Sequence, residues 1–277
     1  EIVNKIKDGK LTSVEICKSY IDQINKFEKD IKAWVHFDKK LLLEKAQEAD
    51  NYRRSGKVTG ILHGIPVALK DIIGTYDMPT ECGTVLRKGK TQSQNAEIVD
   101  LLKSEGAIIM GKTATSELAY LGPPATKNPH DYNRTPGGSS SGAAVSVSDN
   151  MAVAGIGTDT GGSVRIPSAL CGLTGFKPTA ARVSTSGAFP LSTTLDSIGP
   201  LARSVNCCAI LDQVMRGQAT GHIVDRPIET LTLAVPQTLV FDEIEDKVAN
   251  DFQRVMSCLL YTSDAADEGL GVDLGGR

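Results

Sequence analysis

Two short serine- and glycine-rich clusters, PGGSSSGAA at 136–144 and GTDTGGS at 157–163, hold the residues of this 277-residue chain best suited to covalent chemistry. The stretch 136–168 that contains both has seven glycines and seven serines, a density that ordinarily marks a flexible linker. It is interrupted by MAVAGIG at 151–157, an apolar run that wants burial. In GTDTGGS the glycines permit dihedrals that turn several consecutive backbone N–H groups toward one point. Such a nest can stabilise a tetrahedral oxyanion, and a serine at its end is placed to attack a carbonyl. A seryl hydroxyl still needs a base. Lys70, closing the apolar run GIPVAL, is the candidate: a buried, neutral lysine relayed through a second hydroxyl. Its ordinary pKa of about 10.4 would have to fall by about three units, which takes about 4 kcal/mol of desolvation and local field. The same letters also suit two ordinary turns around a core strand, and residue chemistry alone leaves both readings open.

Competing chemistries are thinner. GAIIMGKT at 106–113 fits the phosphate-loop pattern letter for letter. That mechanism needs a strand before the first glycine and a wrapping loop after it. Here a helical pattern, IVDLLKSE, comes before, and the apolar spacer AIIM reads as a strand with a glycine at each end. Of the four histidines, His36 lies in an expected strand and His222 in a linker-like stretch, and neither His63 nor His130 adjoins a serine or cysteine cluster. Cys171, in ALCGLTG, reads as a small buried core residue rather than a nucleophile.

The elements that must position these groups alternate. LTSVEICKSYIDQINKFE predicts a helix with a capping box of Thr12 and Glu15 and a buried stripe of Val14, Cys17, Ile21 and Ile24. WVHF, HGIPVALKD, AIIMGKT, MAVAGIG and LTLAVP predict strands. LLLEKAQEADNYRRSG (closed by Gly56), NAEIVDLLKSEG, TSELAYL, SSSGAAVSVSD, GGSVRIPSAL, CCAILDQVM and DEIEDKVANDFQRVM predict helices. Helices alternating with short apolar strands predict an α/β layered sheet.

Bulk properties bound the function classes. The chain is 40% apolar and 23% charged with a formal charge of −3, and no segment gathers Lys and Arg into a patch. That argues against direct nucleic-acid binding and against an anionic membrane as the main partner. No apolar run approaches the roughly 20 residues of a membrane helix. Six cysteines are scattered without metal-ligand spacing, so no metal is expected, and reduced thiols in a cytoplasmic compartment are. The chain starts within a helical pattern. Its end, CLLYTSDAADEGLGVDLGGR, changes in character, and LLYTSDAADE resembles translated adaptor sequence. Residues 1–257 are therefore expected to be a domain truncated at both ends, and 258–277 a non-native tail.

GIPVALKD, PGGSSSGAA and GTDTGGSVRIPSALCGLTGFKPT, joined by GKTATSELA, TKNPHDYNRTPGG and PLSTTLDSIGPLARSV, closely resemble the amidase signature family of serine hydrolases. The likeness runs from about residue 10 to about residue 255. It implies an α/β/α sandwich around a mixed twisted sheet, of which this chain would hold the N-terminal part. It also implies an amidohydrolase that cleaves a linear carboxamide through a seryl acyl-enzyme, without a cofactor. By this resemblance Ser163 is the nucleophile, Ser139, after a cis Gly138–Ser139 peptide, is the bridging serine, and Lys70 is the base. The oxyanion hole falls on the N–H groups of Thr160, Gly161, Gly162 and Ser163. Ser140, Asp159 and Arg165 support them, the last two as a pair bracing the turn. Ser141 and Ala143 stand where the family pattern more often has other small residues. The implied partner is a small-molecule amide, with homo-oligomerisation left open. The alternatives are the amidase subunit of a tRNA-dependent amidotransferase, which frees ammonia from glutamine beside partner subunits, and an inactive fragment of either.

Overall fold

The structure, a computed structural model, describes residues 1–219, 221, 223, 227, 230, 232, 234–235 and 241–264. Residues Glu1–Ile223 form one compact unit and Val224–Arg277 a second, whose described helix is the amphipathic α8 (Asp246–Asp264). In the first unit, α1 (Ile2–Lys7) leads into α2 (Ser13–Ile31). Thr12 starts α2 as expected: its hydroxyl accepts from Glu15 N, and the Glu15 carboxylate accepts from Thr12 N at 2.8 Å. Cys17, Ile21 and Ile24 are buried and Val14 is half-buried. After β1 (Trp34–Phe37), Asp38 caps α3 (Lys39–Arg54), which ends before Gly56 at φ +75°. The remaining elements are β2 (Pro66–Lys70), α4 (Glu97–Ser104), β3 (Ile108–Thr113), α5 (Ser141–Ser148), β4 (Ala154–Asp159), α6 (Arg165–Leu170), β5 (Thr174–Gly175), β6 (Ser197–Ala202) and α7 (Val205–Met215).

The six strands form one mixed sheet in the order β1-β3-β2-β4-β6-β5. β2 runs parallel to β3 and β4 at its centre, and the β1–β3, β4–β6 and β5–β6 pairs are antiparallel. All five residues of β2 are buried, because helices cover both faces. Val67 and Leu69 join a core with Leu102 of α4 and Leu211 of α7, whereas Ala68 joins a second core with Ile21 of α2, Leu42 of α3 and Val145 of α5. This is the expected α/β/α layering.

Three expectations are corrected. TSELAYL is no helix: it makes one 3₁₀ turn, Glu117–Ala119, with Leu118 at φ +52°, because Leu118 N donates sideways to Cys82 O at 2.8 Å instead of up a helix. The strand read at MAVAGIG begins three residues later and continues through Thr158 and Asp159. β5 and β6 were not expected, since Gly199 and Pro200 break the strand pattern of SIGPLA. Gly199 is required there, because a side-chain carbon would fall 2.1 Å from Phe176 O. Leu231, Leu233 and Pro236 of LTLAVP lie outside the described residues, and Thr232, Ala234 and Val235 are in no strand.

α5 is uniformly buried from Ser141 to Val147, and its small residues let it sit against the sheet. At Gly142 an added carbon would lie 2.2 Å from Ala33 O and 2.4 Å from Ala114 N, both backbone atoms unable to retreat. Gly142→Ala should therefore lower stability by about 3 kcal/mol, the upper end for overpacking. Gly161→Ala, which meets nothing within 4 Å, should change it by less than about 0.5 kcal/mol. Urea denaturation of the two variants checks this, and equal midpoints would show that α5 is not so tightly seated.

Candidate active site

The two clusters meet at one end of the central strands. Lys70 ends β2, Asp159 ends β4, and the N-terminus of α5 begins just after Ser139 and Ser140. Lys70 is fully buried, and its Nζ donates to Ser139 Oγ at 2.6 Å and to Thr158 Oγ1 at 2.8 Å. Loss of hydration pushes its pKa down to about 7, against the weaker opposing pull of the Asp159 and Asp196 carboxylates. Ser139 follows a cis Gly138–Ser139 peptide bond, and its carbonyl accepts from Ser116 N at 3.3 Å. Ser140 ties the clusters together: its N–H donates to Ser163 O at 3.2 Å, and its hydroxyl to Thr158 O at 3.3 Å. Gly157 permits this approach, since a side-chain carbon there would fall 2.5 Å from Ser140 Oγ.

Asp159 organises the turn that carries Ser163. Fully buried, its carboxylate accepts from Gly162 N at 2.8 Å, Val164 N at 3.1 Å and Arg165 N at 3.3 Å. The Arg165 guanidinium adds a two-pronged contact, Nε and Nη2 each at 3.0 Å. Burial alone would raise the Asp159 pKa, but the Arg165 and backbone donors outweigh it and hold the carboxyl below its usual range. The expected pair is thus a fork on a buried acid, although half of the Arg165 side chain faces solvent. Gly162 sits at φ +124°, a conformation that suits glycine, and a side chain there would strike Ile166.

One donor of the expected oxyanion set differs in its geometry. The Gly162 N–H is already engaged by Asp159, whereas those of Gly161 and Ser163 have no protein acceptor among the described residues. Thr160, Gly161 and half-buried Ser163 follow the end of β4 directly, and the Ser140 N–H to Ser163 O bond ties this turn to the first cluster.

Thr158 and Asp196 were missed as site residues. Thr158 is a second oxygen on Lys70, and Asp196 receives the Thr160 hydroxyl together with Leu191 N at 2.8 Å and Ser192 N at 3.1 Å. Both stand inside quoted motifs, GTDTGGS and PLSTTLDSIGP, so the only available signal was a polar residue next to an assigned one.

The competing chemistries dissolve. His63 and His130 spend ring nitrogens on the carbonyls of Ala49 and Cys171, His36 lies in β1, and His222 lies outside the described residues. Burial pushes the Cys171 thiol up to about 12, which leaves it no thiolate to react with. In GAIIMGKT, Gly111 lies inside β3 rather than at its end, and Lys112 is buried and donates to Ile73 O and Thr80 Oγ1. No group of three or more His, Cys, Asp or Glu side chains among the described residues could hold a metal. No described helix is long and apolar enough to cross a membrane.

Two buried lysines give stability a defined pH dependence. Burial lowers the pKa of Lys70 to about 7 and of Lys112 to about 8, from 10.5. In this window the unfolded chain binds more protons than the folded one, so stability rises with pH. Above about pH 8.5 the buried thiols of Cys17, Cys171 and Cys208, raised to about 12, act in the opposite sense. Unfolding free energy should therefore climb between about pH 7 and about pH 8.5, and Lys70→Met should flatten the climb. A slope unaffected by the substitution would mean that Lys70 stays charged.

The sequence matches the family described as amidase over residues 15–257. It is 36% identical, over 292 aligned positions, to a glutamyl-tRNA(Gln) amidotransferase subunit of Syntrophus aciditrophicus, an alignment covering 98% of this chain and 58% of that protein. A solved structure described as an amidase superposes with a TM-score of 0.87 at 31% identity, covering 95% of this chain and 61% of that one. The peptide amidase of Stenotrophomonas maltophilia superposes at 0.73 with 32% identity, covering 87% and 51%. The chain thus spans 51–61% of the length of these relatives. A match over this much of its sequence, to relatives that share its sheet, places the chain in the amidase family.

Proposed function

We propose that this chain carries the catalytic residues of an amidohydrolase that cleaves a linear carboxamide C–N bond through a seryl acyl-enzyme. The observation that carries this reading is the 2.6 Å contact between Ser139 Oγ and a fully buried lysine whose pKa falls to about 7. A lysine so placed is partly neutral at neutral pH and can accept a proton. In the proposed step Ser163 Oγ attacks the amide carbonyl carbon. Its proton passes to Ser139 Oγ as Ser139 passes its own to Lys70 Nζ. The carbonyl π pair moves to oxygen, where the N–H groups of Thr160, Gly161 and Ser163 receive the charge. The Gly162 N–H instead holds the turn through Asp159. The proton returns along the same path to the leaving nitrogen, the C–N bond breaks, and water repeats the sequence on the ester. Thr158 adds a second oxygen to Lys70, and Ser140 keeps the two serine clusters in register. No cofactor enters the scheme, and the substrate is a small-molecule amide, which a cytoplasmic enzyme would meet in solution.

A second reading is favoured by the name of the Syntrophus aciditrophicus relative. Under it, the same relay frees ammonia from glutamine as one subunit of a tRNA-dependent amidotransferase. The two separate on substrate: an independent amidase turns over simple primary amides alone, whereas the subunit needs glutamine and its partner subunits.

In a protein containing this domain, Ser163→Ala should abolish acyl-enzyme formation. Ser139→Ala and Lys70→Ala should each cost on the order of 10² to 10⁴ in kcat/KM. The double variant should cost little more than the worse single one, since members of one relay are not additive. Turnover of a primary amide or anilide reads all of these. Retained activity in Lys70→Ala, with a folded but dead His36, His63 or His130 variant, would overturn the assignment.

Because the base must be neutral, kcat/KM should rise with pH through about 7 and then level off. Thr158→Val removes an oxygen that stabilises the charged ammonium, so its profile should shift to lower pH. A profile unmoved by Thr158→Val would separate Thr158 from the titrating group.

A further inference from the structure

GAIIMGKT has no phosphate role, yet Gly106 serves a purpose at the opposite end of the strands. A cavity of about 470 Å³ opens where β2 and β3 begin, between α3 and α4. Pro66, paired with Ile108 of the cavity lining, lies about 13 Å of strand from Lys70. The volume is within the range of small-molecule sites. Leu41, Val58, Met78 and Ile109 give it apolar walls, and Tyr52 and Tyr76 supply aromatic faces. Each tyrosine ring has a lysine over it, Lys57 at 5.4 Å from Tyr52 and Lys103 at 5.0 Å from Tyr76. The charges lining the cavity cancel in pairs, Lys45 with Glu48 at 2.9 Å and Lys103 with Asp77 at 3.2 Å.

His63 is the polar group inside. It is 4% exposed, and its Nε2 lies 3.0 Å from Ala49 O. A carbonyl only accepts, so Nε2 carries the hydrogen. Burial lowers the His63 pKa and keeps the ring neutral. Nδ1 is then a bare acceptor with no protein donor among the described residues. Gly106, at φ +84°, leaves it uncovered: a side-chain carbon there would lie 3.0 Å from Nδ1.

We propose that this cavity is a second binding site, separate from the catalytic one, for a flat, uncharged aromatic molecule bearing one N–H or O–H donor. The ring packs against Tyr52 and the apolar walls while its donor reaches His63 Nδ1. The four charged side chains that line the cavity are already paired with one another, and the neutral acceptor selects a donor.

Indole and 1-methylindole share a ring system, and only indole has a donor. Calorimetric titration of the purified protein should show indole binding about tenfold more tightly, as expected for one buried hydrogen bond. In ¹⁵N spectra the His63 Nδ1 resonance should move with indole and stay with 1-methylindole. Tyr52→Ala should weaken both, and His63→Phe should bring the two to equal affinity. Equal affinities in the unaltered protein, an unmoved Nδ1, or no indole binding at millimolar concentration overturns the proposal. If His63→Phe does not fold, the Nδ1 resonance decides. These readouts are independent of amide turnover, so they stand or fall apart from the catalytic reading.

Discussion

Placing the Lys70 nitrogen where no water reaches it is the constraint on which the site depends. The drop from 10.5 to about 7 corresponds to about 5 kcal/mol in favour of the neutral form. A nitrogen so desolvated must find its hydrogen-bond partners within the protein. It has two, both hydroxyls, Ser139 Oγ and Thr158 Oγ1. Hydroxyls can accept from an amine and also pass a proton, whereas a carboxylate in the same place would keep the lysine charged. The acid that pulls hardest on Lys70, Asp159, is instead spent on Arg165 and on three backbone donors. The field that would raise the lysine pKa is thereby partly offset by a neighbouring guanidinium.

Bringing two hydroxyls onto one buried amine requires backbones to come close, and small residues allow it. Gly142 lets α5 approach the backbones of Ala33 and Ala114, Gly155 of β4 lets Ala143 of α5 rest against the strand, and Gly157 admits Ser140. Gly142 N also donates to Ala114 O at 2.9 Å, and Ala114 N to Ala33 O at 2.8 Å, so close approach is secured by hydrogen bonds as well as by shape. One consequence is a helix buried on all sides with no polar stripe, which explains why its sequence looked like linker. Ser139 and Ser140 are held by the packing of α5, and Ser163 by the Asp159-centred turn after β4. The Ser140 N–H to Ser163 O contact is the stitch between them.

The opposite end of the same strands is built differently. There, a neutral histidine and two lysine-capped tyrosines surround a cavity whose charges are already matched. Parallel β2 and β3 place their C-terminal ends at the serine clusters and their N-terminal ends at this cavity. The two ends can therefore hold different chemistry within one rigid frame.

Local signals made much of this protein legible in its sequence. The capping box at Thr12 and Glu15, the apolar run that closes on Lys70 in β2 and the glycines at 56 and 162 each express a constraint acting within a few residues. The letters of the two serine clusters named the groups able to perform acyl transfer, and the family resemblance ordered them. Other features needed the tertiary structure, because they are set by partners far along the chain. Strand β6 is a strand despite Gly199 and Pro200, since β4 pairs with it and Phe176 crosses close to its backbone. Segment 115–121 makes one 3₁₀ turn instead of an α-helix, since Cys82 captures the Leu118 N–H. Thr158 joins Lys70 across 88 residues of sequence, and Gly162 gives its N–H to a carboxylate three residues back rather than leaving it free as expected for an oxyanion nest. Residue types are local information and state which chemistry is available. Which donor meets which acceptor in a buried site is decided by packing between elements, and no single stretch of sequence contains it.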